Sequence, residues 1–307
     1  MGSETIDGAP VDADRADVLV TAHELLDLLG RASGPGPIAP VVLDVRWALG
    51  RSDGHEQYLA GHVPGAVYVD LEAELAAFPS PQHGRHPLPE PDDLQAAARR
   101  WGVRGGVPVV VYDTVGGMSA ARAWWLLRWA GVADVRLLDG GLAAWLAAGG
   151  QLDVGEVTAR PGDVVLETGA LATVGPDEAR ALAETGLLLD ARAAERFRGE
   201  VEPVDPRAGH IPGAVSAPTA ENLDEVGRFL PTADLAARFA ALGAVGGASV
   251  GVYCGSGVNA AHQVAALAVA GIDAALYPGS WSQWSNDADR PVETGPGGGA
   301  RATGGPS

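Results

Sequence analysis

The one cysteine of this 307-residue chain, Cys254, stands where nucleophilic chemistry would be expected. A strand-like run, Ser249–Tyr253, leads into Cys254-Gly255-Ser256-Gly257-Val258-Asn259, and an apolar, helix-like run follows from Asn259 to Ala270. Glycines at positions 255 and 257 permit a tight turn whose backbone N–H groups point inward. The start of the following helix adds its positive end. An anionic sulfur at the centre of such a loop is stabilised by both and becomes a nucleophile. A free cysteine is otherwise most often a small buried hydrophobe, so the strand–loop–helix context is what separates the two readings.

The elements that position this loop occur twice. Leu43-Asp44-Val45-Arg46 matches Leu189-Asp190-Ala191-Arg192, and Gly61-His62-Val63-Pro64-Gly65-Ala66-Val67 matches Gly209-His210-Ile211-Pro212-Gly213-Ala214-Val215. Val110-Val111-Tyr112-Asp113 matches Gly251-Val252-Tyr253-Cys254. The offsets of 146, 148 and 141 residues drift as loop insertions make them drift. The pattern divides the chain into a first copy over 18–150, a linker over 151–169, a second copy over 170–293 and a Gly-rich tail over 294–307, which is expected to be disordered. Asp113 stands where the alignment places Cys254, so the first copy has a carboxylate in place of the nucleophilic thiol. The first copy is therefore expected to be a silent scaffold covering the loop of the second.

Within each copy, β-branched runs alternate with Ala- and Leu-rich amphipathic runs. Pro40–Val45, Val107–Tyr112 and Val135–Leu138 read as strands, and Thr21–Leu29, Pro91–Trp101 and Ser119–Ala130 as helices. The second copy repeats the scheme with strands Leu187–Asp190, Ser249–Tyr253 and Ala274–Tyr277 and helices Pro176–Glu184, Thr232–Leu242 and Asn259–Ala270. This is an α/β architecture: two tandem domains, each a mainly parallel sheet with helices on both faces. Ligands in such sheets sit beyond the carboxyl ends of the strands, where Cys254 lies.

Composition narrows the function classes. A net charge of −18 and the absence of lysine argue against a nucleic-acid partner. No apolar run is long enough for a bilayer, and the acidic, polar N-terminus lacks the pattern of a secretory signal. A single cysteine excludes an internal disulfide and a four-thiolate metal site, so a reducing cytoplasm is the expected setting. Among seven histidines only His83 and His86 fall close together, in the Pro79–Pro91 loop, with no cysteine near, and no metal is expected. Neither a Walker-type phosphate loop nor GxGxxG after a first strand is present.

The loop CGSGVNAA at Cys254–Ala261 resembles the active-site loop of tandem rhodanese-domain sulfurtransferases, and most of all their 3-mercaptopyruvate sulfurtransferase branch. GHVPGA at Gly61, GHIPGA at Gly209, Arg122-Ala123-Trp124-Trp125, the run Leu138–Trp145 and the run Tyr277–Trp284 extend the resemblance over nearly the whole chain. It implies a sulfurtransferase without a cofactor, in which Cys254 takes sulfur from a small-molecule donor as a persulfide. The sulfur then passes to cyanide or to a thiol acceptor such as a thioredoxin-like protein. Thiosulfate sulfurtransferases of the family carry basic residues directly after the cysteine, whereas this chain has neutral Gly255 and Ser256. That favours 3-mercaptopyruvate as donor, with thiosulfate the alternative.

The resemblance also assigns roles. Arg196 matches a substrate-binding arginine, with the loop positions Gly255, Gly257, Val258 and Asn259 completing the binding site. A second carboxylate-binding arginine is expected in a Glu-Pro-Arg segment. Here Glu202-Pro203 is followed by Val204, and Arg207 three residues on is either its substitute or a solvated surface residue. Ser256 is expected to share a proton network with His62 and Asp53, although the recurrence of the same motif at His210 equally suggests a structural role for His62. Arg192, paired with Arg46 in the repeat, is expected to brace the loop from below. Asn259, which replaces a threonine, is expected to cap the following helix. Two other classes remain open. A cysteine-dependent phosphatase needs an arginine six residues after the cysteine, where this chain has Ala260, and a non-catalytic sulfur-relay module would use Cys254 only as an acceptor.

Overall fold

The computed structural model describes residues 9–31 and 38–297. Nine short strands form two all-parallel sheets. The first holds β1 (Leu19–Val20), β2 (Val41–Asp44), β3 (Val67–Tyr68), β4 (Val109–Tyr112) and β5 (Val135–Leu138), in the order β1-β5-β4-β2-β3. The second holds β6 (Leu187–Asp190), β7 (Val215–Ser216), β8 (Val250–Tyr253) and β9 (Ala275–Leu276), in the order β7-β6-β8-β9. A single parallel bridge from Thr173 to Leu276 stands where β1 stands in the first sheet. The duplication thus extends to strand order. Helices cover both faces of each sheet, so the central strands are buried along their whole length and read as continuous apolar runs. The strands β1, β3 and β7, at two residues each, are too short to leave a pattern in the sequence.

The repeated motifs meet at one buried polar hub in each domain. Arg46 forks onto Asp44 at 2.9–3.1 Å and also donates to the carbonyl of Gly61, while the hydroxyl of Tyr112 reaches Asp44 and accepts the N–H of Val63 at 3.0 Å. In the second domain Arg192 forks onto Asp190, donates to the Gly209 carbonyl at 2.7 Å, and Tyr253 accepts the N–H of Ile211 at 3.2 Å. These pairs hold the strand ends together below the loops, which is the bracing expected of Arg192.

The segment joining the domains lies along the first one. The backbones of Asp153 and His62 are paired, Gly162 donates to Arg99, and Gly169 donates to Trp129. At the other end, residues 298–307 lie outside the described residues. Gly295 donates its N–H to Arg198 at 2.9 Å, so the first residues of the expected disordered tail are anchored.

One apolar cluster runs through both domains, with helix Ala120–Trp129 of the first packed on helix Val258–Val269 of the second. Polar ties flank it. Arg15 bonds Asp139 at 2.7 Å and the Leu230 carbonyl at 2.9 Å, and Asp139 accepts the Phe229 N–H. His262 is fully buried against Phe229, with Nε2 donating to the Gly116 carbonyl at 3.2 Å and Nδ1 lying 2.7 Å from Thr219 Oγ1. No helix among the described residues is long and apolar enough to cross a membrane.

Burial lowers His262 to about 4. The unfolded chain therefore takes up this proton first, so stability falls as pH drops from about 6.5 toward 4. We expect a shallower fall of the thermal midpoint over that range in His262→Gln; parallel curves would contradict the assignment.

Candidate active site

Cys254 follows directly on β8 and is 2% exposed. Its Sγ accepts the N–H of Gly257 at 3.1 Å. Gly257 has φ +81°, and a Cβ there would lie 2.5 Å from the Pro278 carbonyl oxygen, so only glycine closes this turn without displacing backbone. The helix begins at Val258, with Gly257 in the capping position. Asn259 is therefore already inside the helix, which corrects the expectation that it caps it. A second mount comes from the segment after β9. Ser280, a non-glycine residue at φ +52°, accepts the Cys254 N–H at 3.1 Å and donates to the Tyr277 carbonyl, while the N–H groups of Trp281 and Ser282 bond the carbonyls of Cys254 and Gly255. Strain at Ser280 is thus held by the bonds that fix the nucleophile.

The corresponding loop of the first domain holds a carboxyl in the same place. Asp113, fully buried, accepts four backbone N–H bonds of 2.8–3.0 Å, from Val115, Gly117, Ser119 and Ala120. Burial raises its carboxyl above the ordinary range against the pull of those four bonds. A carboxyl group that accepts four N–H bonds therefore occupies the loop centre in the first domain, and sulfur occupies it in the second.

Ser256 has a different partner from the one its sequence context suggested. Its Oγ lies 2.7 Å from Nδ1 of His86, which reaches across from the first domain. His62 lies elsewhere: its Nδ1 is 3.0 Å from the Tyr58 carbonyl, and its ring stacks on Tyr58 at 4.2 Å. Its repeat partner His210 stacks on Phe197 in the same way, so both histidines of the GHxPGA motifs are packing elements. Asp53 is bound by Arg51 and Gln57 on the surface. The Asp53–His62–Ser256 network is therefore corrected to a Ser256–His86 pair. His86 packs edge-on against Trp47, whose indole N–H donates to Glu72. Burial, then the charges of Arg122 and Arg85, lowers His86 to about 4, so the imidazole is neutral near pH 7.

Positive charge also enters from the first domain. Arg122 is fully buried and donates to the carbonyls of Leu75, His86, Pro87 and, at 3.4 Å, Gly257. Burial lowers it to about 10, opposed by the nearby Cys254. Arg196 approaches the loop beside Gly255 and is held by Glu202 at 2.6 Å and Asp205 at 3.3 Å. Arg207 does not approach the loop: its guanidinium is spent on the carbonyls of Trp284, Ser285, Asp287 and Arg290, which corrects its assignment to substrate. The sequence motifs missed His86, Arg85, Asp205 and Ser280. The first two sit in the proline-rich loop considered only for metal, and no cluster of three or more potential metal ligands occurs among the described residues. A cleft of about 780 Å³ is lined by Ser249 and Ala274 near the opposite strand ends and by no residue of the Cys254 loop.

A parallel sheet ending in a cysteine loop, doubled so that one copy keeps the thiol and the other a carboxylate, defines a tandem sulfur-chemistry architecture. The rhodanese-like domain family matches residues 21–148 and 175–287, and the chain belongs to that family. It is 51% identical over 286 residues to the putative thiosulfate sulfurtransferase SseB of Mycobacterium tuberculosis, covering 92% of this chain and 98% of that one. It is 49% identical to a probable 3-mercaptopyruvate sulfurtransferase of Pseudomonas aeruginosa, covering 90% and 98%. The crystal structure of SseA from Escherichia coli, a 3-mercaptopyruvate enzyme by its description, superposes with a TM-score of 0.74 at 36% identity, covering 86% and 98%.

Replacing His86 by Gln is expected to lower kcat by roughly 100- to 10,000-fold, the size of a lost acid–base contribution. The wild-type pH profile should lack the inflection near pH 6.5 of an ordinary histidine and fall toward pH 4. An inflection near 6.5 that disappears in His86→Gln would contradict the buried, neutral imidazole.

Proposed function

We propose that the protein is a sulfurtransferase that takes sulfur from 3-mercaptopyruvate onto Cys254 and passes it to a thiol or to cyanide. The Gly257 N–H bond to Cys254 Sγ, in a loop whose twin gathers backbone N–H groups onto a carboxyl, carries this reading. In the first step the Cys254 thiolate attacks the donor sulfur. The carbon–sulfur bond breaks, its electron pair goes to the methylene carbon as the enolate of pyruvate, and the donor's thiol proton completes pyruvate. Ser256, hydrogen-bonded to a neutral His86, is placed to polarise the ketone as enolate charge develops. In the second step an acceptor thiolate attacks the outer sulfur of the persulfide, the sulfur–sulfur bond breaks and Cys254 returns as thiolate.

The relatives' names divide between thiosulfate and mercaptopyruvate. The neutral Gly255–Ser256 pair favours mercaptopyruvate, because two cations that would suit a doubly charged donor are missing from the loop. A phosphatase reading loses its support at Ala260, a buried alanine where phosphate needs an arginine. A lone free thiol is suited to a reducing cytoplasm, and a thioredoxin-like protein is a fitting acceptor there.

Incubation with 3-mercaptopyruvate should add the mass of one sulfur to the wild type and nothing to Cys254→Ser, with turnover abolished in the variant. Full turnover by Cys254→Ser would end the persulfide mechanism. A higher kcat/KM for thiosulfate than for 3-mercaptopyruvate would overturn the donor. Loading that requires a partner protein would instead make the chain a relay.

A further inference from the structure

We propose that the C-terminal segment Pro291–Gly297 is a strap that positions Arg196 for the sulfur donor, by holding the one-turn helix Ala194–Phe197 on which that arginine stands. The inference rests on the sulfur-transfer reading above, with Arg196 as a donor contact. The strap lies beyond the matched family region, which ends at residue 287.

The helix needs outside support. It has four residues and no side-chain cap, and one turn of helix is not stable alone. The carbonyls at its end have no partner within the helix. Two neighbours take them. His210 donates from Nδ1 to the Phe197 carbonyl at 2.8 Å, and Gly295 donates its N–H to the Arg198 carbonyl at 2.9 Å. Glu202 and Asp205 hold the guanidinium of Arg196, while the strap sets the backbone from which it reaches.

The strap is fixed along its length. At its start the Pro291 carbonyl accepts the indole N–H of Trp284 at 2.8 Å, at the end of the helix that mounts Cys254. In the middle, Glu293 and His210 exchange both backbone bonds, at 2.8 and 3.0 Å. Val292 there packs against the core cluster that contains Phe197 and Trp281. A Cβ on Gly209 would overlap the Glu293 carbonyl oxygen, so glycine is what lets the strap lie this close. At its end Gly297 lies against Phe197, where a Cβ would come within 2.9 Å of the ring. The mount of the nucleophile is thus tied to the helix of Arg196.

The first domain repeats the device with a different piece of chain. His62 donates from Nδ1 to the Tyr58 carbonyl at 3.0 Å, and Gly155 donates to the next carbonyl, that of Leu59, at 2.9 Å. Asp153 and His62 exchange both backbone bonds at 3.0 Å. There the strap is the start of the segment joining the domains, and the helix it holds is Gly54–Ala60. The same contacts close each copy, so the strap is part of the domain rather than the beginning of a tail.

The test uses 3-mercaptopyruvate as donor and cyanide as acceptor, in chains ended after Gly297 and after Glu293. Ending after Gly297 removes only residues 298–307 and should leave both KM values at the wild-type level. Ending after Glu293 keeps the His210 pairing but removes the Gly295 bond and the Gly297 contact. The donor KM should then rise roughly 3- to 10-fold, the size of a lost hydrogen bond, with kcat and the cyanide KM unchanged. Alkylation of Cys254 by iodoacetamide should keep its wild-type rate, whereas a general loss of structure would change all of these together. Gly297→Val in the full chain forces the strap off Phe197; it should raise the donor KM alike, and it decides the matter if the shortened chain does not fold. An unchanged donor KM after Glu293, an equal rise after Gly297, or a parallel change in kcat and alkylation would overturn the strap. A wild type that turns over thiosulfate but not 3-mercaptopyruvate would strike the donor reading instead, and the same comparison of KM values is then made with thiosulfate.

Discussion

Backbone N–H groups that turn inward on one side chain at the carboxyl end of each sheet organise this molecule. The loop after β4 and the loop after β8 both leave a parallel sheet at its carboxyl end and turn directly into a helix, so their donors converge. In the first domain Asp113 answers all four donors with a fixed carboxylate, and that loop has no remaining capacity for chemistry. In the second domain the side chain is one sulfur, smaller and able to grow by one atom. The loop around the carboxyl of Asp113 and the loop around the thiol of Cys254 share a backbone plan, and they differ in which group sits at the centre.

The silent domain is nonetheless part of the site. His86, Arg122 and Arg85 all reach the second domain's loop from the first, one as a neutral hydrogen-bond partner and two as cations. Arg122 is the most exacting of them. A fully buried guanidinium bonded only to carbonyls lacks a formal counter-charge among the described residues, and the nearest group able to supply one is the sulfur of Cys254. The first domain thus contributes side chains to the Cys254 loop although its own loop carries Asp113 in place of a thiol. Docking of the two domains along helices Ala120–Trp129 and Val258–Val269 is what brings these first-domain groups to the Cys254 loop.

Much of this was legible in the sequence, for identifiable reasons. The repeat exposed the two domains because the hub residues Asp44, Arg46 and Tyr112 and their partners Asp190, Arg192 and Tyr253 tolerate little change where buried charges must stay paired. Strands such as Val109–Tyr112 announced themselves by unbroken apolar runs. Cys254 was legible through its glycines and the helix that follows. What failed was everything that depends on the apposition of the domains. His62 stood out because its motif is conspicuous, but the motif is conspicuous for packing, with the ring stacked on Tyr58. His86 and Arg85 lie in an irregular proline-rich loop with no periodicity, and their importance arises only when that loop folds over the other domain.

Arg207 shows the same limit from the opposite side. As an arginine a few residues from Glu202-Pro203 it had the right chemistry, yet its guanidinium gathers four carbonyls around the end of helix Ser280–Trp284. Those carbonyls belong to the turn that closes the second domain beneath Trp281, whose indole N–H bonds the Arg207 carbonyl in return at 2.9 Å. Moving Arg207 to a ligand would leave this cluster of acceptors to water or unpaired, a loss of several charge-assisted bonds. A guanidinium so completely used is a structural strut, whereas one with a buried, unpartnered Nε beside a glycine is available. The distinction between the two lies in their hydrogen-bond accounts, which residue type and spacing do not encode.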